Sequence, residues 1–267
     1  MITNTQLPEK FRQIIDKQIE IYKNGRSITQ ENKLPETSHI PINNPNHWLK
    51  IPDVICVFAD MIGSTKLSAS KHDKSTAGAY QLFSNTIVRL FHELNAPYID
   101  IKGDGVFALF NSDQPNTALA SAVTIKTFVN EEFINRIKSK TELDIGLHIA
   151  IDQKTLLVRK IGFKRYGDRT DRQNEVWAGR TVNMASKLAS ITKQNEMLVS
   201  DRFFKNLKDD LVLKSCGCPN NEVVDLWKEY DLSDNELFDF DKAYLLESNW
   251  CKEHGADFCT RIIELDK

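Results

Sequence analysis

The run Val54-Ile55-Cys56-Val57-Phe58-Ala59 ends in one carboxylate, Asp60, and Met61, Ile62 and the turn Gly63-Ser64-Thr65 follow at once. A short apolar run with β-branched members reads as a buried strand. Asp60 therefore stands where a buried strand ends, and Gly63, Ser64 and Thr65 stand where a helix begins. Such a turn aims backbone N–H groups at an anion, and the helix N-terminus adds about half a positive charge. A carboxylate beside an anion cradle points to a divalent metal and a polyphosphate held together.

The rest of the chain supplies the partners of that strand. Residues 8–24 place Phe11, Ile14, Ile15, Ile19 and Tyr22 on one helical stripe, with Gly25 as a stop. Residues 26–50, with Pro35, Pro41 and Pro45 among polar residues, read as an irregular connector. A helix is expected over 73–94, with Phe83, Ile87, Leu90, Phe91 and Leu94 on one face, then strands at 98–102 and 106–110 around the turn Gly103-Asp104-Gly105. A helix over 116–138, a strand at 143–151 with 155–162 as its partner, a charged loop at 164–175, a helix opening at 179–188 and a last core strand at 197–199 complete the series. The first six elements describe an α+β protein with a ferredoxin-like βαββαβ core, both helices lying on one face of an antiparallel sheet. The expected organisation is an N-terminal helix and connector (1–52), a core domain (53–205) and a C-terminal extension (206–267). Trp227, Tyr244, Leu245, Trp250 and Phe258 are the apolar anchors expected in that extension.

Composition excludes several classes. The 267 residues are 41% hydrophobic and 27% charged, as in ordinary globular proteins. The net charge of −2 gives no basic field for nucleic acid. No apolar run approaches the roughly 18–20 residues of a membrane span, and the N-terminus has no signal-peptide apolar region. A cytoplasmic location is therefore expected, without membrane or nucleic-acid partners. Five cysteines are an odd number in such a chain, so a disulfide framework is not expected. Cys216, Cys218, Cys251 and His254, with Cys259 further on, could assemble a tetrahedral structural Zn²⁺ site, although small buried thiols read the same way.

Asp60 and Asp104 both follow apolar strands that a βαββαβ sheet makes neighbours. Two carboxylates at one sheet end repel, and Mg²⁺ or Mn²⁺ between them resolves the conflict. Three motifs then carry a resemblance. Phe58-Ala-Asp-Met-Ile-Gly-Ser-Thr65 and Lys102-Gly-Asp-Gly-Val-Phe-Ala108 resemble the two metal motifs of the class III nucleotidyl cyclases, and Gly179-Arg-Thr-Val-Asn-Met-Ala-Ser186 is similar to their catalytic helix. The resemblance implies a homodimer with active sites at the interface and a nucleoside triphosphate substrate. It also implies two metal ions held by Asp60, Met61 and Asp104, triphosphate contacts from Met61 to Thr65, and Asn183 reaching the ribose from the partner subunit.

Two departures from the family pattern are informative. Lys187 stands where the family has its transition-state arginine, and Arg180, one helical turn before Asn183, is a candidate substitute. Both also fit a solvated helix surface. Asp100 replaces the residue that helps select a purine base, and Trp177 lies near the second base-selecting position. This form is most like the pyrimidine cyclases of bacterial Pycsar anti-phage systems, which make cyclic UMP or cyclic CMP for a product-sensing effector protein. Asp100 accepts equally from uracil N3–H or the cytosine amino group, so UTP and CTP stay open. Three other functions fit: an adenylate or guanylate cyclase with an atypical base pocket, an inactive nucleotide-binding regulator, or a zinc-stabilised interaction module.

Overall fold

The apolar run at 54–59 belongs to a longer strand, β2 (His47–Ile62). Its side chains alternate between faces. Ile55, Val57, Ala59 and Met61 enter the main core, whereas Phe58 joins a second cluster with Ala150, Leu188 and Leu198. The structure, a computed structural model, describes residues 7–70, 73–163 and 172–267. They fall into two units, Met1–Ile51 with Leu157–Ala178, and Pro52–Leu156 with Gly179–Lys267.

The larger unit is built on a sheet in the order β3-β4-β2-β5-β7-β9-β8, with β3 Tyr98–Lys102, β4 Gly105–Phe110, β5 Gly146–Gly162, β7 Met197–Ser200, β8 Trp227–Asp231 and β9 Lys242–Leu246. Its first four strands have the order of a βαββαβ fold. Helices α3 (Asp73–Glu93) and α4 (Pro115–Phe128) cover one face, where Phe83, Ile87, Phe91, Leu119 and Ile125 meet the inward residues of β2, β4 and β5. On the other face, Leu188 and Ala189 of α6 (Thr181–Ile191) pack with Phe58, Ala150 and Leu198. A one-turn π-helical stretch (Val129–Phe133) joins α4 to α5 (Ile134–Thr141), so the expected helix over 116–138 carries a bulge. The bulge swings Phe133 into the core, 5.3 Å from the Phe83 ring centroid.

The smaller unit corrects the reading of 26–50. There β1 (Ser27–Gln30) runs parallel to the first four residues of β2, and a short 3₁₀ turn spans Thr37–His39. Arg159 holds this unit's loops by donating to the carbonyls of Pro45, Ile42 and Lys160. Helix α1 (Glu9–Lys23) forms where the stripe predicts, yet buries none of its residues.

Two further corrections concern strands. Residues 143–151 and 155–162 do not form a hairpin, because β5 runs unbroken through Asp152-Gln153-Lys154. These polar residues read as a turn, but Asp152 is buried and satisfied by two hydrogen bonds, at 2.7 and 2.6 Å, from Arg202 on the short helix α7 (Asp201–Phe204). The partner of the distal part of β5 is β6 (Gln173–Gly179), so the expected loop at 164–175 ends in a strand; its residues 164–171 lie outside the described residues. Nor is β7 the last strand, since β9 pairs antiparallel to it and β8 to β9. Residues beyond 205 thus extend the core sheet. They also cap α4, where Asp266 accepts from the N–H groups of Asn116 and Thr117. Lys126, buried on α4, donates to the carbonyls of Glu247 and Ser248 and to Asn195 and Asn249. Among the described residues no helix is long and apolar enough to cross a membrane.

Candidate active site

Asp60 lies two residues before the end of β2, directly opposite Gly105, the residue after Asp104, in an antiparallel pair. The register is what brings the two carboxylates together. Burial and the negative charge of Asp104 hold the Asp60 carboxyl up at about 6, against a hydrogen bond from the Met61 N–H that lowers it. Two carboxylates this close repel each other, and oxygen donors of this kind suit Mg²⁺ or Mn²⁺. Gly105 suits the same closeness: a Cβ there would lie 3.1 Å from Asp60 Oδ1 and 3.2 Å from the Phe58 ring, so these side chains would have to give way. The Met61 side chain is buried in the main core, so only its backbone is available to a ligand.

Gly63 turns the chain with φ +84°, and a Cβ there would meet the Asp144 carbonyl at 2.9 Å. Helix α2 (Ser64–Ser70) begins at once, its first turn closed by the Leu67 N–H to the Gly63 carbonyl at 3.0 Å. Ile62 is half-buried, Ser64 buried and Thr65 exposed.

Asp100 pairs with Phe107 on β4, which in turn pairs with Phe58 on β2. Asp100 and Asp60 therefore stand on the same sheet face, one pleat apart. Lys102, on that face too, lies 2.7 Å from the Asp100 carboxylate. The Tyr98 hydroxyl donates to the same oxygen at 3.5 Å, and its ring lies 6.1 Å from that of Phe107. Sequence reasoning missed Lys102 as a partner of Asp100, although the two-residue spacing on a strand signals it. Trp177 is half-buried on β6, in the smaller unit.

Helix α6 starts at Thr181, whose hydroxyl donates to the Lys154 carbonyl at 2.9 Å, and Arg180 is its N-terminal cap residue. Met184, Ala185, Leu188 and Ala189 are buried, which leaves Asn183 and Lys187 together on the opposite stripe. Asn183 is exposed and donates to the Gly179 carbonyl at 3.4 Å. Both candidate cations meet the loop between β8 and β9. Lys187 Nζ donates to the Leu237 carbonyl at 3.1 Å, and Arg180 donates to Asp239 at 2.9 Å. Asp239 also accepts from Lys154 at 2.6 Å and Arg202 at 3.0 Å, and these cations hold its carboxyl far below the usual range despite partial burial. No local sequence signal reveals Asp239, because its partners lie far away in the chain.

Residues 49–222 match the family model described as adenylate and guanylate cyclase catalytic domain. The chain belongs to this family. It is a class III nucleotidyl cyclase. Among its relatives, a uridylate cyclase of Propioniciclava tarda is 35% identical over 95% of this chain and 83% of its own, and a uridylate cyclase of Micromonospora echinofusca is 34% identical over 86% and 75%. In fold the cyclase resembles the adenylyl cyclase CyaB from P. aeruginosa, with a TM-score of 0.61 over 77% of this chain and 97% of that one at 13% identity. The cyclase motifs expected at Asp60 and Asp104 fall on one sheet end, and the catalytic-helix motif forms α6.

Proposed function

We propose that this cyclase converts UTP to 3′,5′-cyclic UMP and pyrophosphate. The observation that carries the reading is that two relatives about a third identical over most of the chain are uridylate cyclases, joined to a sheet end that keeps both aspartates. In the reaction the ribose 3′-oxygen forms a bond to the α-phosphorus, the bond from that phosphorus to the β-phosphate oxygen breaks, and the hydroxyl proton leaves to solvent.

Asp60, Asp104 and the Met61 backbone would hold two divalent cations, Mn²⁺ or Mg²⁺, which stabilise charge on the attacking oxygen and the leaving pyrophosphate. The turn from Ile62 to Thr65 offers backbone N–H groups to the triphosphate. Asp100 and Lys102 present one acceptor and one donor side by side, a pair that can accept from uracil N3–H and donate to uracil O4; the amino group and N1 of adenine offer the same two contacts, so it is the uridylate cyclase relatives that favour UTP. Asn183, exposed on α6, orients the ribose of a second copy, and Lys187 supplies positive charge near the α-phosphate, with Arg180 as the alternative cation. The resemblance to the Pycsar enzymes extends the proposal to anti-phage signalling, with cyclic UMP read by a separate effector protein in the cytoplasm.

A second reading, a nucleotide-binding regulator without turnover, draws on the engagement of Lys187 and Arg180 by Leu237 and Asp239. One experiment separates the two. The purified chain with Mn²⁺ and UTP is expected to release cyclic UMP and pyrophosphate in equal amounts. Asp60→Asn and Asp104→Asn are each expected to lower turnover by ~10³-fold or more with unchanged circular dichroism. Full activity in either variant contradicts the metal assignment, and absence of product from the unmodified protein favours the regulator.

A further inference from the structure

The C-terminal segment holds a side-chain cluster that cyclisation does not use. Cys216 and Cys218 flank Gly217, which turns the loop after α8 (Asp210–Leu213) with φ +87°. Cys251 and His254 lie at the turn that enters α9 (Gly255–Glu264), where the Gly255 N–H donates to the Cys251 carbonyl at 2.8 Å. The two pairs are far apart in sequence, yet one ligand atom from each of the four residues lies within 4.8 Å of every other. Cys218 Sγ stands 3.2 Å from His254 Nδ1. The backbone N–H groups of His254 and Glu253 are directed at the Cys251 sulfur.

Core filling does not account for this convergence. Cys56 shows what a packing cysteine looks like, with no exposure at all, whereas Cys216, Cys218 and Cys251 are only half-buried and His254 is exposed. Cys259 packs against the main core and stands outside the cluster. All three cluster cysteines are free thiols.

We infer that Cys216, Cys218, Cys251 and His254 bind one structural zinc ion. Three thiolates and an imidazole are a soft-to-borderline set that suits tetrahedral Zn²⁺ and excludes Mg²⁺ or Ca²⁺. With metal–ligand bonds of about 2.0–2.3 Å, tetrahedral ligands stand about 3.5–3.8 Å apart, so the cluster needs only a small contraction. Three Zn–S bonds and one Zn–N bond form as three thiol protons leave to solvent. Four protein ligands leave no open position, so the ion is structural. It closes the base of residues 219–250, the segment that carries β8, β9 and the loop whose Leu237 and Asp239 hold Lys187 and Arg180. Tying two distant chain segments together restricts the unfolded ensemble and fixes the start of α9 against the loop that follows α8.

The test uses the full chain, purified without added metal. Elemental analysis is expected to give one zinc per chain. Exchange for Co²⁺ is expected to give the red-visible ligand-field bands and near-ultraviolet charge-transfer bands of a tetrahedral cobalt thiolate. His254→Cys is expected to keep the metal with shifted bands, and His254→Ala to weaken it. Chelation is expected to speed amide exchange across residues 219–250. Folded wild-type protein that carries no zinc and gives no tetrahedral cobalt bands overturns the site. So does a disulfide within the cluster found by mass spectrometry, or zinc content that is unchanged in Cys218→Ser with Cys251→Ser.

Discussion

Asp60 carries an electrostatic cost. Its carboxyl is partly withdrawn from water and faces Asp104, and the amide of asparagine is close to it in size without the charge. Asp60→Asn is therefore expected to stabilise the metal-free protein by about 1 kcal/mol, a figure discounted for the partial exposure of the pair, while abolishing turnover. Thermal melts in chelator and in Mn²⁺ check this: the variant melts higher than wild type in chelator and loses the metal-dependent gain. A variant that melts lower in chelator contradicts the electrostatic account. At this scale the sequence was readable where chemistry is local. Asp60, Gly63 and Asp104 announce themselves by residue type beside apolar runs. The pairing of Asp239 with Arg180, Lys154 and Arg202 is made across the fold and leaves no trace in spacing.

Among the elements, the β3–β4 hairpin sets the geometry, and Gly105 is its tightest point. Gly105→Ala is expected to push the Asp60 carboxylate off its position and lower kcat by ~10-fold or more, since the added Cβ meets Asp60 Oδ1 at 3.1 Å. The same variant is expected to lose little stability in urea, because φ at Gly105 lies outside the left-handed region. Unchanged kcat would show that Asp60 has room to move. The hairpin, α3 and the start of α6 were legible because apolar periodicity and turn glycines agree there. Strand β5 was misread because Asp152, Gln153 and Lys154 look like a turn until Arg202, Asn206 and Asp239 are placed against them. Strand β1 was hidden among prolines, its pairing with β2 set by residues 20 positions on.

For the whole molecule, the central expectation is a site made by two copies of the chain. Asp60 and Asp104 lie at one sheet end, whereas Asn183 is exposed on α6 with Lys187, half-buried, one turn on. Mixing two inactive variants, Asp104→Ala and Asn183→Ala, is expected to restore roughly a quarter of wild-type activity, since about half of randomly exchanged dimers are mixed and each mixed dimer holds one intact site. No recovery from confirmed mixed dimers contradicts the shared site. Beyond the core the extension was legible as a set of apolar anchors and a Cys/His cluster. That it adds two strands to the sheet and caps α4 depends on long-range pairing, which periodicity does not encode.

The most direct test of the account is a competition. The purified chain is given equal concentrations of ATP, GTP, CTP and UTP with Mn²⁺ in one vessel, and the cyclic products are identified by mass. The expected result is cyclic UMP as the dominant product. Cyclic AMP or cyclic GMP in its place would leave the fold standing and contradict UTP as the substrate.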